Sequence, residues 1–118
     1  MFRVGNSWVT VMKEVPVMKR FIVQSRVKRE GARENQDLIR KVFEELHGKA
    51  PAGVSYAVFK GLDGVSFLHI VSVDPKAGDN PIPQLSAFKG FQAGIRERCE
   101  EAPVLTDLEA ESIGSYGF

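Results

Sequence analysis

The residue pattern predicts an α+β domain with the order strand, helix, strand, strand, helix, strand. Three observations carry this. Two segments place apolar residues at helical spacing, Leu38 to Leu46 and Leu85 to Cys99. Segments alternating at period two flank them, and a joint of Gly61-Leu62-Asp63-Gly64 separates the two middle ones.

Lys19–Lys28 reads as the first strand, with Phe21, Val23 and Val27 on one face and Ile22, Gln24 and Arg26 on the other. Arg29-Glu30-Gly31 breaks it. A helix over about Arg33–His47 buries Leu38, Ile39, Val42, Phe43 and Leu46. Asp37/Lys41 and Lys41/Glu45 form opposite-sign pairs one turn apart on its outer face. Gly48 suits the position past its end, and Pro51 forbids continuation. Val54–Lys60 and Val65–Val73 are the middle strands, and the glycines between them supply the positive φ that a hairpin turn needs. With an even loop, even positions of the earlier strand share a face with odd positions of the later one. Tyr56 and His69 then meet on one face. Asp74–Pro83 is a loop punctuated by Pro75, Gly78, Pro81 and Pro83. A second helix over Gln84–Glu100 turns Leu85, Phe88, Phe91, Ile95 and Cys99 inward. Gly90 and Gly94 weaken it by about 1 kcal/mol each relative to alanine, and they would let a sheet or ligand approach closely. After Pro103, Val104–Ser112 is the last strand.

A chain of 118 residues has room for one core. Residues 18–118 read as that single domain, since Met18-Lys19-Arg20 looks like a second natural start. Residues 1–17 read as an N-terminal extension, an added strand or an arm, with Trp8, Thr10 and Met12 alternating against Val9, Val11 and Lys13. Sixteen Lys/Arg against 15 Asp/Glu leave a net charge of +1, which argues against a nucleic-acid partner. No apolar run reaches the roughly 18 residues a membrane helix needs, so no membrane partner is expected. Cys99 is alone and the two histidines form no zinc spacing, so a reducing cytoplasm fits and a structural metal does not.

Right-handed crossovers fold this order into a four-stranded antiparallel sheet with both helices on one face, the ferredoxin-like arrangement. The middle strands carry Val58, Phe67 and Val71 on one face but Phe59, Leu68 and Ile70 on the other. Helices cover only one of these. A second copy is the simplest cover for the other, so a homodimer is expected.

From about Lys19 onward the chain resembles the antibiotic-biosynthesis-monooxygenase-like family. The resemblance rests on Val27-Lys28-Arg29-Glu30-Gly31-Ala32, the Leu38–Leu46 helix, the Asp63-Gly64 hairpin and Phe88-Lys89-Gly90-Phe91-Gln92. It implies a dimeric α/β barrel built from two ferredoxin-like subunits. It further implies oxidation by O2 of a small aromatic or polyketide-like substrate, with no metal or flavin cofactor, in a pocket between sheet and helices. The family also includes members with no known reaction. The alternative is therefore a non-catalytic small-ligand-binding or stress-related dimer of the same fold.

Candidate chemistry centres on His69, whose ordinary pKa near neutrality suits a proton acceptor. Tyr56 is its expected neighbour and could orient a phenolic substrate. A strand histidine bonded to a tyrosine within a core is the plain structural expectation for the same pair. Phe67, Phe88 and Phe91 are candidates to line an aromatic substrate pocket, although a phenylalanine stripe also suits simple packing. Arg26 could hold an anionic substrate group. Asp79-Asn80 could close over a pocket mouth, and buried Cys99 reads as a small inert hydrophobe. RNA-recognition domains share the strand order. Here, however, Val65 and Ile70 occupy positions where base-stacking aromatics belong, and Asp63 replaces a basic residue.

Overall fold

The computed structural model describes residues 19–117. Strand β1 is Lys19–Arg26, helix α1 Ala32–Lys49, β2 Val54–Lys60, β3 Ser66–Val73, α2 Ser86–Ala93, α3 Ile95–Arg98 and β4 Val104–Leu108. Short 3-10 turns at Arg29–Gly31, Pro75–Ala77 and Ile82–Gln84 join them. The sheet runs β2-β3-β1-β4 and every neighbouring pair is antiparallel. This is the ferredoxin-like α+β fold that the pattern predicts. The reading of residues 1–17 as an extension lies outside the described residues.

Period two explains the layers. Phe21, Val23, Phe67, His69, Val71 and Val73 turn toward the helices and are buried. Ile39 and Val42 of α1 and Phe88 and Phe91 of α2 close over them. The Asp63 carboxylate organises the hairpin. It accepts the backbone N–H of Val65 and of Ser66, both at 2.9 Å, and the Ser66 hydroxyl at 2.6 Å. Those bonds, the Ser66 hydroxyl foremost, hold its pKa down to about 2. Gly64 takes φ +80°, the left-handed position the turn requires.

Several boundaries differ from the sequence reading. Helix α1 runs through Gly48 to Lys49, and Ala50 takes the left-handed position at φ 45°, its N–H bonding the Leu46 carbonyl at 2.8 Å. Pro51 explains this, because the residue before proline avoids the right-handed helical region. Glu45 does not pair with Lys41. Its carboxylate accepts the N–H groups of Ala87 at 2.8 Å and Ser86 at 3.2 Å, and Lys49 lies 2.9 Å away. The bond from Ala87 is the main reason its pKa is lowered. One glutamate on α1 thereby caps the start of α2. The last strand stops at Leu108 rather than Ser112. Asn80 is buried and accepts the Ile82 N–H at 3.0 Å, whereas Asp79 beside it is exposed.

The second helix starts at Ser86 and is interrupted at Gly94 (φ −114°, ψ 18°). The interruption frees the Phe91 carbonyl, and the Arg98 guanidinium fills the gap. Its Nη2 donates to Phe91 O at 2.6 Å, its Nε donates to Asn35 Oδ1 at 3.0 Å, and its Cζ lies 5.3 Å from the Phe91 ring centroid. Gly94 matters because a Cβ there would come within 3.0 Å of Arg98 Nη1, whereas nothing approaches Gly90. Replacing Arg98 by methionine keeps the stem but strands two buried acceptors. We expect a loss of about 2–4 kcal/mol in urea unfolding; a change within experimental error would show that the break is held by packing alone.

Candidate functional site

The chemically distinctive feature lies between the sheet and the helices. Val58 on β2 stands opposite His69 on β3, and Tyr56 opposite Val71, so the hairpin parity brings Tyr56 and His69 onto the helix-facing side. Tyr56 Oη and His69 Nδ1 are 2.9 Å apart. Either the phenol donates to an unprotonated Nδ1 or Nδ1–H donates to the phenol oxygen; the tautomer decides which. Aromatic rings enclose the pair. Phe43 of α1 stacks on Tyr56 at 4.9 Å, and Phe91 of α2 lies 5.7 Å from the imidazole and 5.9 Å from Phe88.

Electrostatics follow from the enclosure. His69 is 1% exposed, and burial pushes its imidazole down to about 3, so it is neutral at physiological pH. Burial raises the Tyr56 phenol far above its ordinary range, so it also stays neutral. The arrangement is a neutral hydrogen-bonded pair in an apolar layer. It can exchange a proton locally and offer one polar edge to a flat molecule, and at rest it carries no charge.

The sequence candidates separate accordingly. Tyr56, His69, Phe88 and Phe91 form one cluster, and Phe67 lies on the same face two residues from His69. Arg26 is not among them. It belongs to the opposite face, pairs with Glu100 at 3.4 Å, and borders a hollow with Phe59, Leu68 and Val104. Cys99 is buried past the end of α3 and forms a β-bridge with Val27; burial raises its thiol, as expected of an inert hydrophobe. Among the described residues no three His, Cys, Asp or Glu side chains gather as a metal site, and no helix is long and apolar enough to cross a membrane.

Two hollows open beside the helix layer. One of about 420 Å3 lies between α3 and the β1–β4 side, over Val23, Ile95 and Leu105. The other, about 300 Å3, lies between α1 and the hairpin, with walls of Ile39, Phe43, Val58 and Phe67. Gln36, Arg40 and Lys60 border it, and Lys60 Nζ donates to Gln36 Oε1 at 2.7 Å. The sequence reading passed over Phe43, Arg40 and Lys60 as site residues. Parity held the signal for Lys60, which shares the even-numbered face with Tyr56 and Val58.

No protein-family model matches the sequence, and no curated protein is similar to it. Solved structures do match. Rv0793 from Mycobacterium tuberculosis superposes with a TM-score of 0.66, covering 83% of this chain and 99% of that one at 15% identity. An antibiotic biosynthesis monooxygenase gives 0.64 over 80% of this chain and 99% of its own, at 16% identity. A conserved protein from Methanosarcina mazei Go1 gives 0.64 over 81% and 95%, also at 16% identity. The fold is that of the antibiotic biosynthesis monooxygenases. The resemblance read from the sequence therefore holds for the fold, and likenesses at these identities speak for fold rather than reaction. The Tyr56–His69 pair spans the edge strand β2 and its neighbour β3 on the helix-covered side of the sheet.

Proposed function

We propose that the protein is a homodimeric α/β barrel of monooxygenase-like type that oxidises a small aromatic or polyketide-like substrate with O2, without metal or flavin. The observation that carries the reading is the Tyr56–His69 pair, a hydrogen-bonded polar couple at 2.9 Å set among Phe43, Phe88 and Phe91. A core assembled for packing alone would be better filled with apolar residues, because two buried polar groups add desolvation cost. The shared fold supports the class.

In this reading an activated aryl methylene reacts with O2 to give the carbonyl and water. One oxygen atom enters the product, and the other leaves with both methylene hydrogens. His69 takes the substrate proton and Tyr56 holds the imidazole orientation, with Phe67, Phe88 and Phe91 lining the aromatic layer. Oxygen uptake with a panel of anthrones and quinols tests this. Turnover should fall at least about tenfold in Tyr56→Phe and about a hundredfold in His69→Leu. No uptake across the panel would overturn it.

One observation favours the rival, a non-catalytic small-ligand-binding or stress-related dimer. His69 is almost fully enclosed, and neither it nor Tyr56 lines either hollow beside the helix layer. Binding without oxygen uptake would decide for that reading.

The dimer rests on the other sheet face. Phe59 and Val104 are each 59% exposed there, Leu108 46% and Ile70 38%, beside half-buried Ile22 and Leu68. Contiguous apolar surface of this kind marks an interface. It supports two sheets packed face to face.

A further inference from the structure

We infer that the hollow between α1 and the β2–β3 hairpin is a binding site for a planar aromatic anion, a bicyclic carboxylate or its phenolate-bearing relative. This rests on the reading above only in taking the helix–sheet layer as the ligand side; it adds the charge of the ligand and the residues that select it.

Four apolar side chains, Ile39, Phe43, Val58 and Phe67, form the walls. The volume of about 300 Å3 sits at the small end of known ligand pockets and suits one flat ring system. The charge around it has one sign. Arg40 and Lys60 are the charged residues that line it, and no carboxylate does. Among the described residues neither forms an ion pair, although Glu44 follows Arg40 by one turn. Lys60 is held by a neutral amide, Gln36 Oε1, at 2.7 Å, which fixes its ammonium at the rim without neutralising it. Arg26, Lys49 and Lys19 are paired with Glu100, Glu45 and Asp107. What sets Arg40 and Lys60 apart from other exposed cations, such as Lys41 and Lys89, is that both border this aromatic hollow. Two uncompensated donors over an aromatic floor match an anion whose ring lies flat on Phe43 and Phe67 while its carboxylate reaches Arg40 and Lys60. A cation would meet repulsion, and a neutral ring would use only the walls.

The position links the hollow to the buried pair. Phe43 is also the ring that stacks on Tyr56, and Val58 is the strand partner of His69. A ligand seated here touches two direct neighbours of the Tyr56–His69 pair.

The test is equilibrium binding of 1-hydroxy-2-naphthoate against its neutral isostere 1-hydroxy-2-naphthamide, followed by ligand fluorescence at pH 7.5. The acid should bind at least about tenfold more tightly, and its affinity should fall with added salt. Arg40→Gln combined with Lys60→Gln should bring the acid down to the amide. Both side chains are exposed, so the double variant should keep the fold, to be verified by its circular dichroism. Lys89→Gln, an exposed cation on α2, is the charge control and should leave the preference intact. Backbone amide shifts should move at Ile39, Phe43, Val58 and Phe67. Equal affinity for acid and amide, a preference that survives the double variant, shifts confined to other residues, or no binding at millimolar ligand would each overturn the inference. Because binding is read without turnover, failure of oxygen uptake with selective binding intact would sink the oxygenase reading and leave this one standing.

Discussion

Acidification from pH 6.5 to pH 4.5 should cost the fold roughly 2–3 kcal/mol through His69 alone. In the unfolded chain the imidazole takes up a proton near its usual 6.5, whereas in the fold burial holds it down to about 3. Between those values the unfolded state binds the extra proton, so stability increases with pH. The contribution is complete above 6.5 and lost progressively as pH falls toward 3. The window is clean at its upper end. Asp63, held down to about 2, and Glu45, lowered from 4.5, act only below their own ordinary values. Urea midpoints taken every half pH unit would measure the slope. In His69→Leu the slope above pH 4.5 should largely vanish, although its baseline changes because Tyr56 loses a partner. In Tyr56→Phe the slope should persist, since desolvation rather than the hydrogen bond depresses the imidazole. A wild-type profile flat between 6.5 and 4.5 would mean that water reaches His69 freely.

Ile70→Lys should convert the proposed dimer into a folded monomer. Ile70 lies between Ile22 on β1 and Ala57 on β2, near the middle of the uncovered face. A second sheet packed there would bury the new ammonium without a partner, and an unpaired buried charge costs several kcal/mol, enough to weaken association at least about a hundredfold. In the isolated subunit the same lysine points to solvent, so circular dichroism should be unchanged. Light scattering at micromolar concentration should give about 26 kDa for the wild type, twice the 13.1 kDa chain, and the chain mass for the variant. A wild-type mass of one chain would remove the barrel from consideration. A dimeric variant would move the interface to another face.

Most of the fold was legible because it depends on local periodicities. The Phe21/Val23/Val27 alternation, the Leu38–Leu46 stripe and the glycines around Asp63 each specify an element from within a few residues. The same parity carried Tyr56 and His69 to one face, and it had already assigned Arg26 to the other, beside Ile22 and Gln24. A long cation is read as reaching anywhere, and the strand register does not allow it. The break at Gly94 was hidden for another reason. The apolar spacing of Phe91, Ile95 and Cys99 continues through it, and what settles the break is Arg98 meeting Asn35, 63 residues away in sequence. Glu45 misled in the same way, since a helical partner at Lys41 is visible in the sequence while the N–H groups of Ser86 and Ala87 are not.

By itself the sequence determined the α+β class, the order of the elements, which residues line each sheet face, and that one of those faces is left without helices. All of these are set by how side chains repeat along the backbone. Only the tertiary structure decided that the Tyr56–His69 pair, which strand parity brings together, is held neutral, and that Arg40 and Lys60 border an aromatic hollow with no carboxylate among its walls. Each of these depends on the distances between residues far apart in the chain, and on the water that packing excludes from around them.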